Sequence, residues 1–180
     1  ADSFLQTILS RCITLNMKTV KAEVIRDYLM KQYKIPDYQA DVCAAFSQGN
    51  VGKAIQLASS EDFGELKASV LQLMKRLDEI DVYEMTAAVK QISEYKLVVN
   101  DYFDLMTIWF RDVLYMKATN DVNGLIFKDE VYDIKKQAAK RSYQGIETIL
   151  QALETAKVRL NANVNFDLVI ELLLLTIKEN

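Results

Sequence analysis

Three groupings of side chains could do chemistry. The first is Ser10-Arg11-Cys12, which sets a guanidinium between a hydroxyl and a thiol where a helical pattern ends. Arginine there offers a planar, permanently charged fork that fits phosphate oxygens; in its blander role it complements a helix C-terminus. The second is Phe46-Ser47-Gln48-Gly49-Asn50-Val51-Gly52-Lys53-Ala54, a glycine-bearing turn into a helix, in which Lys53 on its own reads as a solvated lysine. The third is Lys135, Lys136, Lys140 and Arg141, a basic helix end opened by Asp129 and Glu130. That polarity matches the helix dipole, which favours a structural role over a phosphate-binding patch.

What is missing narrows the chemistry further. The chain has no histidine, which removes every Ser-His-Asp and Cys-His arrangement and most zinc sites with imidazole ligands. It has no GxxxxGK[ST] loop for nucleotide phosphates. Cys12 and Cys43 form no CxxC; they read as small buried groups in a reducing, cytoplasmic setting. With no nucleophile–base pair and no metal cluster, an independent enzyme is not expected, nor a cofactor bound by this chain.

The elements that must position these residues are helices. In 180 residues there are 5 Gly and 1 Pro, too few for a turn-rich sheet fold, with 51% hydrophobic and 26% charged residues. A net charge of −3 does not favour broad binding to nucleic acid or anionic lipid. Opening on Ala1 with a helical pattern at once, the chain is expected to be an excised piece of a longer protein. Spacing predicts a helix over residues 2–10, an extended stretch through Ile13, Leu15 and Met17, and a helix capped by Thr19 running to Lys34 with Val24, Ile25, Tyr28 and Leu29 inward. Pro36 fits the first turn of the next helix, which carries Tyr38, Val42, Ala45 and Phe46 and stops at Gly49; a short helix over Val51–Ala58 follows.

A composition break at Ser59–Gly64 divides this small bundle from longer helices. Leu66 to Ile80 keep helical spacing, Asp81 caps a helix to Tyr95, and a long one aligns Val98, Tyr102, Leu105, Met106, Trp109 and Val113. Asn120–Gly124 is a loop, Asp129–Lys140 a helix, and Ser142 caps another with Ile146, Ile149, Leu150, Leu153 and Leu160 inward. Asn165 caps the last helix, which is apolar nearly all round and is expected to be the buried centre of a helical domain or interface. Trp109 reads as core, and Arg111-Asp112 as an exposed pair worth little.

Read as a string, Phe4 to Cys12 resembles the SRC motif of AAA+ clamp-loader subunits, with Gln6 in place of the usual Pro. In that family the motif's arginine reaches into a neighbouring subunit's ATP site, and Arg11 matches it, with Ser10 and Cys12 as motif neighbours. Aligning Gly49 and Ala54 with the family's lid string puts Gly52 where ATP-hydrolysing subunits carry a nucleotide-sensing arginine; Lys53 is a conceivable substitute. An arginine for the neighbour without one for its own nucleotide resembles the delta-prime class of bacterial DNA polymerase III clamp loaders. Ile108–Leu114 and Arg159–Asn165, ahead of a leucine-rich helix, resemble the collar of that class.

The resemblance implies an all-α fold with an AAA+ lid bundle over residues 1–64 and a helical collar over 65–180. It implies a non-catalytic DNA replication subunit whose collar assembles a pentamer with gamma/tau and delta subunits. Arg11 then acts in trans on ATP and Mg bound by a neighbour, with the sliding clamp and primer-template DNA as indirect partners. The competing reading is a helical protein–protein interaction module with no part in ATP chemistry.

Overall fold

The computed structural model describes Arg11 and residues 18–180, and these are helical with no strand among the described residues. The helix expected over 2–10, the extended stretch after it, Ser10 and Cys12 all lie outside the described residues. Nine α-helices follow one another among the described residues: α1 (Ala22–Tyr33), α2 (Asp37–Phe46), α3 (Val51–Ala58), α4 (Glu61–Arg76), α5 (Val82–Ser93), α6 (Val99–Thr119), α7 (Val131–Lys140), α8 (Tyr143–Asn161) and α9 (Phe166–Glu179). Single 3-10 turns at Lys96–Val98 and Lys128–Glu130 lead into α6 and α7.

Local chemistry sets most of the helix starts. Asn50, Ser60, Asp81, Ser142 and Asn165 each accept a hydrogen bond from the backbone N–H three residues on, and Asp81 with Glu84 completes a capping box. The expected cap at Thr19 is not formed: α1 starts at Ala22 after an extended Lys21 with no side-chain cap. Pro36 is itself the N-cap of α2 rather than a residue of its first turn. Lys34 ends α1 in the left-handed region (φ 55°), and the next N–H, Ile35, bonds back to the Leu29 carbonyl.

α1, α2 and α3 pack on one another as a small bundle around Ile25, Leu29, Val42, Cys43, Phe46 and Ala54. Only one edge of α1 is covered, so Val24 and Tyr28, expected inward, are exposed. The break at residues 59–64 is a cap rather than a linker. Ser60 starts α4, residue 64 falls inside that helix, and Phe63 in its first turn packs on Phe46 of α2 with ring centroids 5.1 Å apart.

Beyond this, α6 is the axis. Tyr102, Phe103, Leu105, Met106, Trp109, Phe110 and Val113 are wholly buried between α4, α7 and α8. Burying one such side chain is worth about 1.5–3 kcal/mol, so the seven together make α6 the main contributor to this core. Of the two places the sequence allows the last helix, the centre of the domain or an interface, it does not take the first: α9 lies against α5 and α8 and buries Val169, Ile170, Leu173, Leu174 and Ile177, while Leu168, Leu172 and Leu175 face outward.

Candidate functional site

Of the arginine motif, Arg11 is described: it lies in a turn and its side chain is exposed. Farther along, the chain ahead of α1 joins the Phe46–Ala54 string directly. The Val20 N–H donates to the Gly49 carbonyl at 3.0 Å, and Gly49 sits at φ +88° with a hypothetical Cβ 2.6 Å from the Thr19 Cβ. Glycine is needed there twice over, for the left-handed backbone and for the close approach of Thr19.

Gln48 (φ 50°) and Gly49 turn the chain after α2, Ser47 donates its hydroxyl to the Ala44 carbonyl at 2.8 Å, and Asn50 caps α3 through the Lys53 N–H at 3.0 Å. Gly52, the position matched to the sensing arginine, is exposed in the first turn of α3, and a Cβ there would meet only the Asn50 Oδ1 at 3.5 Å. The position has room for a side chain and does not use one. Lys53 is not simply solvated: its Nζ lies 4.5 Å from the centre of the Phe46 ring, a cation–π contact.

Two charged groups are built into the long-helix domain: Asp112, read from the sequence as half of an exposed pair, and Arg141, read as part of a helix end. Asp112 is wholly buried: its Oδ2 accepts from the Ile126 and Phe127 N–H groups, each at 2.8 Å, and its Oδ1 from the half-exposed Arg111 at 2.6 Å. Burial raises its carboxyl above the ordinary range, and the donors from Phe127, Arg111 and Ile126 pull it partly back. Arg141 leaves the basic end of α7 for the interior, donating to Asp78 at 2.6 Å and to the Ile177 carbonyl at 2.7 Å beside the Phe110 ring. Lys136 pairs with Glu79 at 2.7 Å and Lys140 with Asp78 at 3.5 Å, so these two, like Arg141, engage carboxylates of the same chain. The sequence signal that could have exposed Asp112 was the apolar Leu125–Phe127 run, whose backbone N–H groups need an acceptor once buried.

Trp109 donates to Gln137 at 2.9 Å, and Gln137 donates to the Met74 carbonyl at 2.7 Å; the expected core role holds, with a polar tether linking α6, α7 and α4. Cys43 is buried and free, and burial pushes its thiol up to about 11, the opposite of a nucleophile. No metal-binding group of His, Cys, Asp or Glu forms among the described residues, and no helix among them is long and apolar enough to cross a membrane.

The sequence is similar to those of known proteins. Residues 61–179 match the family described as "DNA polymerase III, delta subunit, C terminal". The chain is 29% identical over 178 residues to DNA polymerase III subunit delta' of Bacillus subtilis (strain 168), a match that takes in 97% of this chain and 53% of that protein. The chain therefore spans about half the length of that relative. No solved structure matches it. With well over half its length matched, from the start of α4 to the end of α9, the chain belongs to the family of C-terminal domains typified by the delta protein of DNA polymerase III.

Proposed function

We propose that the chain is the lid and collar of a delta-prime-like clamp-loader subunit of the DNA polymerase III holoenzyme, acting in the cytoplasm. The lid takes residues 1–64 and the collar 65–180. The collar joins a pentamer with gamma/tau and delta subunits, and Arg11 supplies charge to the ATP and Mg held by a neighbour. These residues themselves catalyse nothing and bind no cofactor. The sliding clamp and primer-template DNA are reached through the assembled loader.

The observation that carries this reading is the likeness to the Bacillus subtilis delta' protein along almost all of the chain. Exposed Arg11 ahead of the lid and a bare Gly52 in the exposed turn of α3 support it: one arginine is offered outward and none inward. Leu168, Leu172 and Leu175, outward-facing on α9, supply a surface for a partner collar.

The test is Arg11→Ala and Arg11→Lys in the full-length protein, reconstituted with its partners. Arginine fingers supplied in trans contribute about 10³ to 10⁵ in rate. A loader with several ATP sites should lose one site and keep the rest, so clamp-stimulated turnover and loading fall while assembly is unchanged. Lysine should rescue little, because the two-pronged fork is lost. Unchanged turnover in Arg11→Ala would return the residue to a helix-end cation.

A further inference from the structure

Leu97 is fully exposed (101%), on the 3-10 turn between α5 and α6, and its neighbour Val98 is also exposed. A leucine held out on an ordered turn, next to a second aliphatic side chain, is unusual unless something covers it. It forms one lip of a cleft of about 510 Å³. The opposite wall comes from the bundle side, with Leu57 at the end of α3 and Phe63 and Leu66 at the start of α4. The floor is thus apolar, completed by Tyr95, whose ring packs on Tyr102 at 5.6 Å.

The rim is charged with one sign. Asp62 and Glu65 stand on one wall, Glu94 and Asp101 on the other, and no lysine or arginine lines the cleft. None of the four carboxylates has an ion-pair partner among the described residues. Facing carboxylates around an apolar floor repel one another and attract cations. A neutral or acidic apolar segment would bury those carboxylates at a cost; a basic one would neutralise them.

We propose that this cleft docks a short basic amphipathic segment of another protein, one that inserts an aliphatic or aromatic anchor beside Leu97 and sets lysines or arginines against Asp62, Glu65, Glu94 and Asp101. The inference stands apart from Arg11 and from the α9 face, and would survive the failure of either. Because one wall runs from the end of α3 into the first turns of α4 and the other is the turn from α5 into α6, the occupant would bridge these two corners of the fold.

The probe is a fluorescent helical peptide of lysine and leucine with leucines at i, i+3, i+4 and i+7, titrated by anisotropy into the full 180-residue chain. Oligolysine without leucine and the glutamate counterpart of the peptide serve as comparisons. The lysine–leucine peptide should bind and weaken with salt, oligolysine should bind at least about tenfold more weakly, and the glutamate peptide should not bind. Leu97→Ser, which alters an exposed side chain and leaves the fold intact, should weaken binding about tenfold. Glu65→Gln with Glu94→Gln should do the same at low salt, while Glu147→Gln with Glu171→Gln, away from the cleft, should change nothing. Absence of binding, or binding indifferent to Leu97→Ser and to the cleft charge variant, would overturn the proposal. So would a dimer of the chain alone, seen by sedimentation, that Leu97→Ser dissolves, since the occupant would then be a second copy.

Discussion

At Asp112 the cost of burying a carboxylate is offset by two backbone N–H groups that would otherwise be orphaned under the loop. Asp112→Ala should therefore cost about 3 kcal/mol by urea denaturation, since it strands both donors, whereas Asp112→Asn keeps an oxygen facing them and should cost about 1 kcal/mol. The pH dependence follows from the raised carboxyl. A folded-state value above the unfolded one means that the native chain holds this proton more tightly. The contribution is fully present below the unfolded value of about 3.9 and is lost as pH rises through the folded value. The gap between wild type and Asp112→Asn should accordingly be wider in acid than at neutrality; the reverse dependence would contradict the assignment. The two glycines of the Phe46–Ala54 string should likewise respond in opposite directions. Gly49→Ala puts a Cβ against Thr19 at a left-handed φ and should cost about 2 kcal/mol or more, while Gly52→Ala makes only an ordinary contact with the Asn50 Oδ1 in a helix and should stabilise by about 0.5 kcal/mol, both read as thermal shifts. Gly52 was identifiable from the string because its meaning is an absence at a matched position. Asp112 was not, because an Arg-Asp pair on a helix looks the same buried or exposed until the distant Leu125–Phe127 segment is placed over it.

Among the elements, helix starts were legible at Asp81, Ser142 and Asn165, whose caps bond three residues ahead as expected, whereas Ser60 reads in the sequence as part of a break and proves to be a cap of the same kind. Which helix takes the centre was not legible. α6 and α9 are both rich in apolar residues, and periodicity cannot rank them; contact with three neighbours, α4, α7 and α8, gives α6 the interior. α9 is left with a buried row and an exposed row, and the two should respond differently to substitution. Ile170→Ala, in the buried row, should cost about 3 kcal/mol in unfolding free energy. Leu172→Glu, in the exposed row, should leave stability within about 0.5 kcal/mol; under the proposed collar role it should also abolish co-elution with gamma/tau collar domains in size-exclusion chromatography. Retained co-elution would contradict the part that proposal gives the exposed row of α9.

Across the whole molecule, the bundle of α1–α3 and the long helices share one continuous buried cluster. An ion pair reinforces the junction: Lys128, on the 3-10 turn before α7, holds Asp41 of α2 at 2.6 Å. Even so, the bundle's own core is small, and small cores open before large ones. Native-state hydrogen exchange should find the amides of α1 opening at least about 1–2 kcal/mol more easily than those of α6. Equal protection would make the chain a single cooperative unit.

The continuity of α4 through residue 64 has a mechanical corollary. A helix of 16 residues is a rod of roughly 24 Å, with its first turn clamped to Phe46 in the bundle and its later turns packed on α6. Were the bundle to tilt by about 10° with α4 rigid, the rod's far end would sweep roughly 4 Å. Leverage of that kind turns a slight rocking at the bundle into a displacement of the size of a side chain at the other end.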